Sequence, residues 1–195
     1  MNKSFAILLA LFLMLGTALP PAAAEDAVSS ATVNITALPE LKENQSAASL
    51  VIFFSTDDTV KAVAYTIAEA LASDVFEIVP EVPYTKADIR WMNPLARCNK
   101  EKFGKKDVPV KGKVADFDAY DTVYIGFPIW YGCAPNVVNT FCAAYDWTGK
   151  KIGVFATSGG SGIGKTAEKL APYVKGGEIV SAKLVKSSAE VEEIS

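Results

Sequence analysis

Two short, almost wholly apolar runs, each leading directly into a loop of unusual composition, limit what this chain can fold into more than any other feature. Residues 123–127 (VYIGF) end at Pro128, and Ile129, Trp130, Tyr131 and Gly132 then make a loop dominated by aromatic side chains. Residues 152–156 (IGVFA) end at Thr157. Ser158, Gly159, Gly160, Ser161 and Gly162 follow, small enough for backbone N–H groups to come close to a bound molecule. Continuous apolar strands of about four to eight residues suit a parallel sheet covered on both faces. In open parallel sheets, ligands sit beyond the carboxyl ends of the strands. A flat aromatic loop and a serine/glycine loop at neighbouring strand ends therefore suit a planar ring system with polar edges.

The chain from Leu50 onward supplies the remaining parts of such a sheet. Residues 50–54 (LVIFF) read as a strand, and residues 60–71 as an amphipathic helix with Val60, Val63, Ala64, Ile67 and Leu71 on one stripe. Residues 75–79 (VFEIV) read as a second strand. Helices are expected near 135–145, with Pro135 in the first turn, and near 163–173. A last strand is expected across 178–185, and residues 187–195 suffice for about two turns of a further helix. Five strands alternating with helices make a doubly wound α/β sheet. The wholly apolar first strand belongs in its interior, whereas 75–79, which contains Glu77, belongs nearer an edge. Residues 80–117, punctuated by Pro83, Pro94, Gly104, Pro109 and Gly112, show no strong period and read as one long structureless section. Loops of that length tend to be functional.

The amino-terminal residues carry a different signal. Lys3, the apolar residues 5–15 and the sequence Ala22-Ala23-Ala24 have the three parts of a secretory leader. The apolar run is too short to span a bilayer comfortably. The expected organisation is a leader over 1–24, a flexible linker over 25–49 rich in Ala, Ser and Thr, and one folded domain over 50–195. The chain is then exported, periplasmic or extracellular, with no stable membrane span after cleavage.

Composition removes several classes of function. The net charge of −3 and the lack of a basic stripe argue against nucleic acid as a partner; the locally basic residues 100–113 are interrupted by Glu, Asp, Gly and Pro and read as a solvated loop. There is no histidine, so a Ser-His-Asp or Cys-His hydrolase cannot be assembled and imidazole metal ligation is absent. Cys98, Cys133 and Cys142 have no C-x-x-C spacing, which leaves neither a zinc site nor a thioredoxin-like pair.

FEIVPEVPYT (76–85), YIGFPIWYGCAPNVVNTF (124–141) and FATSGGSGIG (155–164) resemble the flavodoxin-like family, in particular its exported or membrane-associated bacterial members, and the similarity covers nearly all of residues 50–184. The resemblance implies a five-stranded parallel sheet in the order 2-1-3-4-5 with FMN at the switch point between the first and third strands. It puts Trp130 and Tyr131 against the isoalloxazine ring, with Pro128 and Ile129 leading into that loop and Gly132 turning the backbone beside it. Ser158, Gly159, Gly160 and Ser161 then face the ring edge as donors. It further implies an FMN-binding protein of electron transfer, either a carrier or a small quinone-reductase-type enzyme, with an unidentified redox partner. The proposed topology brings the loops of Cys98 and Cys133 to one sheet edge, where a disulfide is feasible; Cys142 reads as a small buried hydrophobe.

The first loop departs from the family pattern. Where the family carries S/T-x-T-G-N-T around the FMN phosphate, this chain reads Ser55-Thr56-Asp57-Asp58-Thr59-Val60. Ser55, Thr56, Thr59 and Val60 remain the candidate phosphate contacts, but the glycine is absent and two carboxylates stand in the loop. Asp57 or Asp58 is also a natural cap for the following helix. An alternative therefore stands beside the redox reading: a non-catalytic binding module on a flavodoxin-like fold that has lost tight FMN binding. Gly159 to Thr166 also satisfies G-x-x-x-x-G-K-T, but the single strand after it offers no magnesium-holding Asp, which argues against a nucleotide triphosphatase.

Overall fold

Every residue of the run 50–54 is buried, and that single fact fixes where the strand lies. It is β1 (Ser49–Phe53), flanked by a strand on each side. In the computed structural model, residues 48–185 are described; the expected leader, nearly all of the linker and the carboxyl-terminal helix at 187–195 lie outside them. After β1 come α1 (Asp58–Leu71), β2 (Asp74–Glu77), β3 (Val79–Pro80), α2 (Arg97–Gly104) and β4 (Val110–Lys111). A 3-10 turn at Phe117–Ala119 leads into β5 (Thr122–Pro128), α3 (Asn136–Ala143), β6 (Lys151–Thr157), α4 (Thr166–Leu170), a second 3-10 turn at Ala171–Tyr173, and β7 (Glu178–Leu184).

The main sheet has five strands in the order β2-β1-β5-β6-β7, all parallel. Counted along the chain this is 2-1-3-4-5, the flavodoxin-like order. The direction of winding reverses between β1 and β5, which makes the crevice beyond their carboxyl ends the place for a ligand. Side chains alternate across β1. Val51 and Phe53 pack with Val60, Val63, Ala64 and Ile67 of α1 on one face. Leu50 and Ile52 pack with Val137, Val138 and Phe141 of α3, Trp147 and Leu170 on the other.

Three expectations need correcting. The strand over 75–79 does not run through: β2 stops at Glu77, and Val79–Pro80 instead pairs antiparallel with Val110–Lys111. Pro80 has no N–H to offer an interior ladder, so the chain leaves the sheet there. The helix over 163–173 shrinks to five residues of α4 and a 3-10 turn, because Pro172 cannot supply the next helical donor. Residues 80–117 are not structureless, since they hold α2 and the small β3–β4 ribbon. α2 (RCNKEKFG) has no apolar stripe to announce it. It stands because its polar side chains are bonded to other elements: Asn99 Nδ2 donates to the carbonyls of Trp91 and Asn93 at 2.8 and 2.7 Å, and Arg97 donates to Val82 O at 2.7 Å.

Candidate functional site

The carboxyl ends of β5 and β6 lie side by side, Pro128 opposite Thr157, and Ile129 extends the pairing by donating its N–H to Thr157 O at 2.7 Å. The chain then reverses within four residues. Trp130 and Cys133 exchange backbone hydrogen bonds of 2.9 and 3.1 Å, and the two residues between them, Tyr131 and Gly132, both have positive φ (+54° and +69°). That is the geometry of a primed hairpin turn, costless for Gly132 but strained for a tyrosine. The strain at Tyr131 is held by its hydroxyl, which donates to Asn99 Oδ1 at 2.6 Å and lies 3.3 Å from Cys98 Sγ. Lys169 of α4 secures the far side, donating to Gly132 O at 2.9 Å.

After β6, Ser158 organises its own loop. Its Oγ accepts from Ser161 N at 2.9 Å and from Gly160 N at 3.3 Å, and lies 2.7 Å from Ser161 Oγ. The side chains of Gly159, Gly160 and Gly162 would meet nothing within 4 Å if a Cβ were added, so the loop borders open space. That space is a cavity of about 470 Å³ walled by Ile129, Trp130, Tyr131 and Gly132 on one side and by Ser158, Gly159, Gly160 and Ser161 on the other. The structure thus brings together the eight loop residues that the sequence marked as a ring cradle. Ile89, Trp91 and Cys98 complete the wall, and these three were missed. The one signal for them was that residues 80–117 are too long for a plain connection.

Trp130 is fixed by ring contacts, edge-on to Phe54 (5.8 Å, 87°) and to Tyr84 (5.3 Å, 88°). Tyr84 in turn donates to Glu101 Oε2 at 2.6 Å and lies under the Arg97 guanidinium, 4.2 Å from its ring centre. Burial, reinforced by the Glu101 bond, pushes the Tyr84 phenol well above the ordinary tyrosine range. Behind the aromatic wall sits a partly buried charged pair: Arg97 Nε donates to Glu101 Oε1 at 2.5 Å.

The loop after β1 lies apart from this cavity. Ser55 and Thr56, with Phe54, Asp57, Asp58, Lys61, Glu77 and Tyr84, line a separate recess of about 310 Å³. Asp57 is the N-cap of α1, its Oδ1 accepting from Thr59 N at 2.9 Å, and Ser55 Oγ donates back to Asp57 O. Val60 points its side chain into the core, 1% exposed. Pro128 ends β5 outside the wall of the ring cavity.

The feasible disulfide is not formed. Cys98, Cys133 and Cys142 are all buried free thiols. Cys98 faces the Tyr131 hydroxyl, while Cys133 Sγ accepts from Lys102 Nζ at 2.6 Å and donates to Trp130 O at 3.2 Å, so each sulfur is held by a different partner. Burial drives the Cys142 thiol far up, as befits a packed hydrophobe. Thr166, the last residue of the G-x-x-x-x-G-K-T run, is fully buried with its hydroxyl donated to Ile163 O at 2.5 Å, unlike a hydroxyl that waits for magnesium. Among the described residues there is no cluster of metal-ligating side chains, and no helix long and apolar enough to cross a membrane.

Comparison with known proteins agrees with this geometry. The family model described as Flavodoxin matches residues 48–195. A crystal structure of a candidate flavoprotein from Bacteroides eggerthii is similar with 33% identity and a TM-score of 0.69, over 75% of this chain and 94% of the other. One from Bacteroides uniformis is similar with 34% identity and a TM-score of 0.70, over 75% and 96%. A flavoprotein from Lactobacillus acidophilus, crystallised in complex with FMN, shares the fold at 20% identity and a TM-score of 0.57, over 76% and 98%. No curated protein matches the chain.

Proposed function

Because the chain belongs to the flavodoxin family, we propose that it binds a flavin by the ring between its aromatic and serine/glycine loops and serves in electron transfer, as a carrier or a small flavin-dependent oxidoreductase. The observation that carries this reading is the single cavity of about 470 Å³ formed by both loops at adjoining strand ends. Its walls fit the ring: Trp130 and Tyr131 offer aromatic surface, Gly132 and Gly159 leave the backbone accessible, and Ser158 and Ser161 present hydroxyls for a polar edge. A bound flavin would supply the one- or two-electron chemistry. The chain's own part is to hold the ring, exclude water from it and set the hydrogen bonds at its rim. Large apolar side chains stand exposed beside the cavity: Trp91 (68%) on its wall, Phe103 against Tyr131, and Met92 in an adjoining recess with Lys86 and Arg90. They form the face across which we place the redox partner. Export belongs to the same proposal and is supported by the leader-like residues 1–24.

The residues fit the phosphate of FMN poorly, since the loop after β1 is acidic and bonded to itself. That observation favours the second reading, a binding module that has lost tight FMN binding. Titrating purified protein with FMN and with riboflavin, and following flavin fluorescence, tests the proposal. Quenching by at least one flavin, abolished in Trp130→Ala, is expected; quenching by neither overturns the flavin reading. A reversible change of flavin colour on reduction and reoxidation, with the flavin retained, separates the redox role from plain binding.

A further inference from the structure

The recess around the loop after β1 has the wrong chemistry for a phosphate and the right chemistry for a polyol. A phosphate-binding helix start offers backbone N–H groups and hydroxyls that converge on the anion. Here Thr59 N donates to Asp57 Oδ1 at 2.9 Å, and the Ser55 hydroxyl is turned back onto Asp57 O. The recess carries three carboxylates, those of Asp57, Asp58 and Glu77. Lys61 is the one cation among its lining residues, and it is paired with Glu77 at 3.5 Å. The rest of the wall named here, Phe54, Ile78, Pro80, Pro83 and Tyr84, carries no positive charge. Nor do these carboxylates belong to any cluster that could hold a metal bridging them to phosphate, none being found among the described residues.

Resting on the flavin reading above, we infer that this protein takes a flavin without the terminal phosphate, that is, riboflavin with its free ribityl chain. Ionised carboxylates only accept hydrogen bonds, which suits the hydroxyls of a ribityl chain and repels a phosphate dianion. The recess is coupled to the ring cavity through side chains, since Phe54 and Tyr84 line the one while touching Trp130, which lines the other.

The test titrates riboflavin and FMN into the full chain and into Asp57→Asn/Asp58→Asn. Asparagine also caps helices, so the fold survives the loss of charge. Each titration is done at low and high salt, and with either a chelator or magnesium present. Riboflavin is expected to bind the wild type at least as tightly as FMN, with no dependence on magnesium. FMN binding should strengthen as salt screens the carboxylates. In the variant, FMN should tighten about tenfold or more, about 1.4 kcal/mol, while riboflavin changes by less than about threefold. Wild-type protein that binds FMN about tenfold more tightly than riboflavin overturns the inference and leaves the flavin reading standing, as does FMN binding that depends on magnesium. Binding of neither flavin overturns both.

Discussion

Gly126 of β5 and Phe155 of β6 are register partners, and the ring of Phe155 occupies the space in which a side chain on Gly126 would stand. A Cβ on Gly126 would lie 2.1 Å from Phe155 Cζ and 2.2 Å from Cε2. Phe155 is only 4% exposed and packed against α1, so the ring has no free direction in which to yield. Gly126→Ala is therefore expected to lower stability by about 3 kcal/mol, the upper part of the range for overpacking a core. Gly159→Ala, with nothing within 4 Å of its Cβ, should stay within about 0.5 kcal/mol of the wild type. Urea denaturation of the two variants decides this; equal midpoints would show that the sheet accepts the methyl group.

Lys150 is buried, and its ammonium is used as a cap. Nζ donates to the carbonyls of Tyr120 (2.6 Å), Phe117 (3.0 Å) and Asp118 (3.4 Å), and lies 4.8 Å from the centre of the Phe117 ring. These carbonyls terminate the 3-10 turn that leads into β5, where the backbone N–H of Tyr120 reaches Phe117 O, at 3.3 Å. Lys150→Met keeps the apolar stem but removes the ammonium that the three carbonyls share. A loss of about 2–3 kcal/mol is expected, measured as a shift of the urea midpoint at unchanged slope. A variant as stable as the wild type would mean that water takes over the cap.

Several tyrosines make the fold sensitive to alkali. Burial pushes Tyr124 up to about 12, and the hydrogen bond to Asp74, then burial, pushes Tyr120 up to about 12. Tyr84 and Tyr131 are displaced in the same direction, chiefly by burial. Below pH about 10, the ordinary tyrosine value, folded and unfolded chains are both protonated and the stabilisation is fully present. Above it the unfolded chain releases protons that the folded chain retains, so stability is lost progressively as pH rises towards 12 and beyond. The melting temperature should fall steeply between about pH 10 and about pH 12. Tyrosinate absorbance should appear later in the native protein than in urea; coincident titrations would contradict the burial of these rings.

All three cysteines are free thiols, which leads to a simple count. Alkylation in denaturant without reductant should label all three cysteines in each chain, whereas native protein should react slowly because each sulfur is buried. Labelling of one cysteine under denaturing conditions would restore the Cys98–Cys133 bridge that the sequence allowed.

The apolar runs at 50–54, 123–127 and 152–156 were legible because a strand covered on both faces must be apolar at every position. The two loops beyond them were legible as a pair through the family resemblance, whose sheet order places their strand ends side by side. Asp57 as a helix cap was also readable, being a local matter of one carboxylate and an N–H two residues away. α2 was not. Its sequence is charged and unpatterned, and what holds it are bonds from Asn99, Arg97 and Glu101 to partners as near as four residues and as far as seventeen. Local periodicity carries no trace of partners chosen by tertiary approach. The same limit hid Ile89, Trp91 and Cys98. The residues alone specified a doubly wound sheet with an interior first strand, because burial and short connections act on neighbours along the chain; the strand order and the pairing of two cavity walls came with the family resemblance. Only the tertiary structure decided the third wall and which sulfur faces which partner, because those depend on where an unpatterned segment comes to rest.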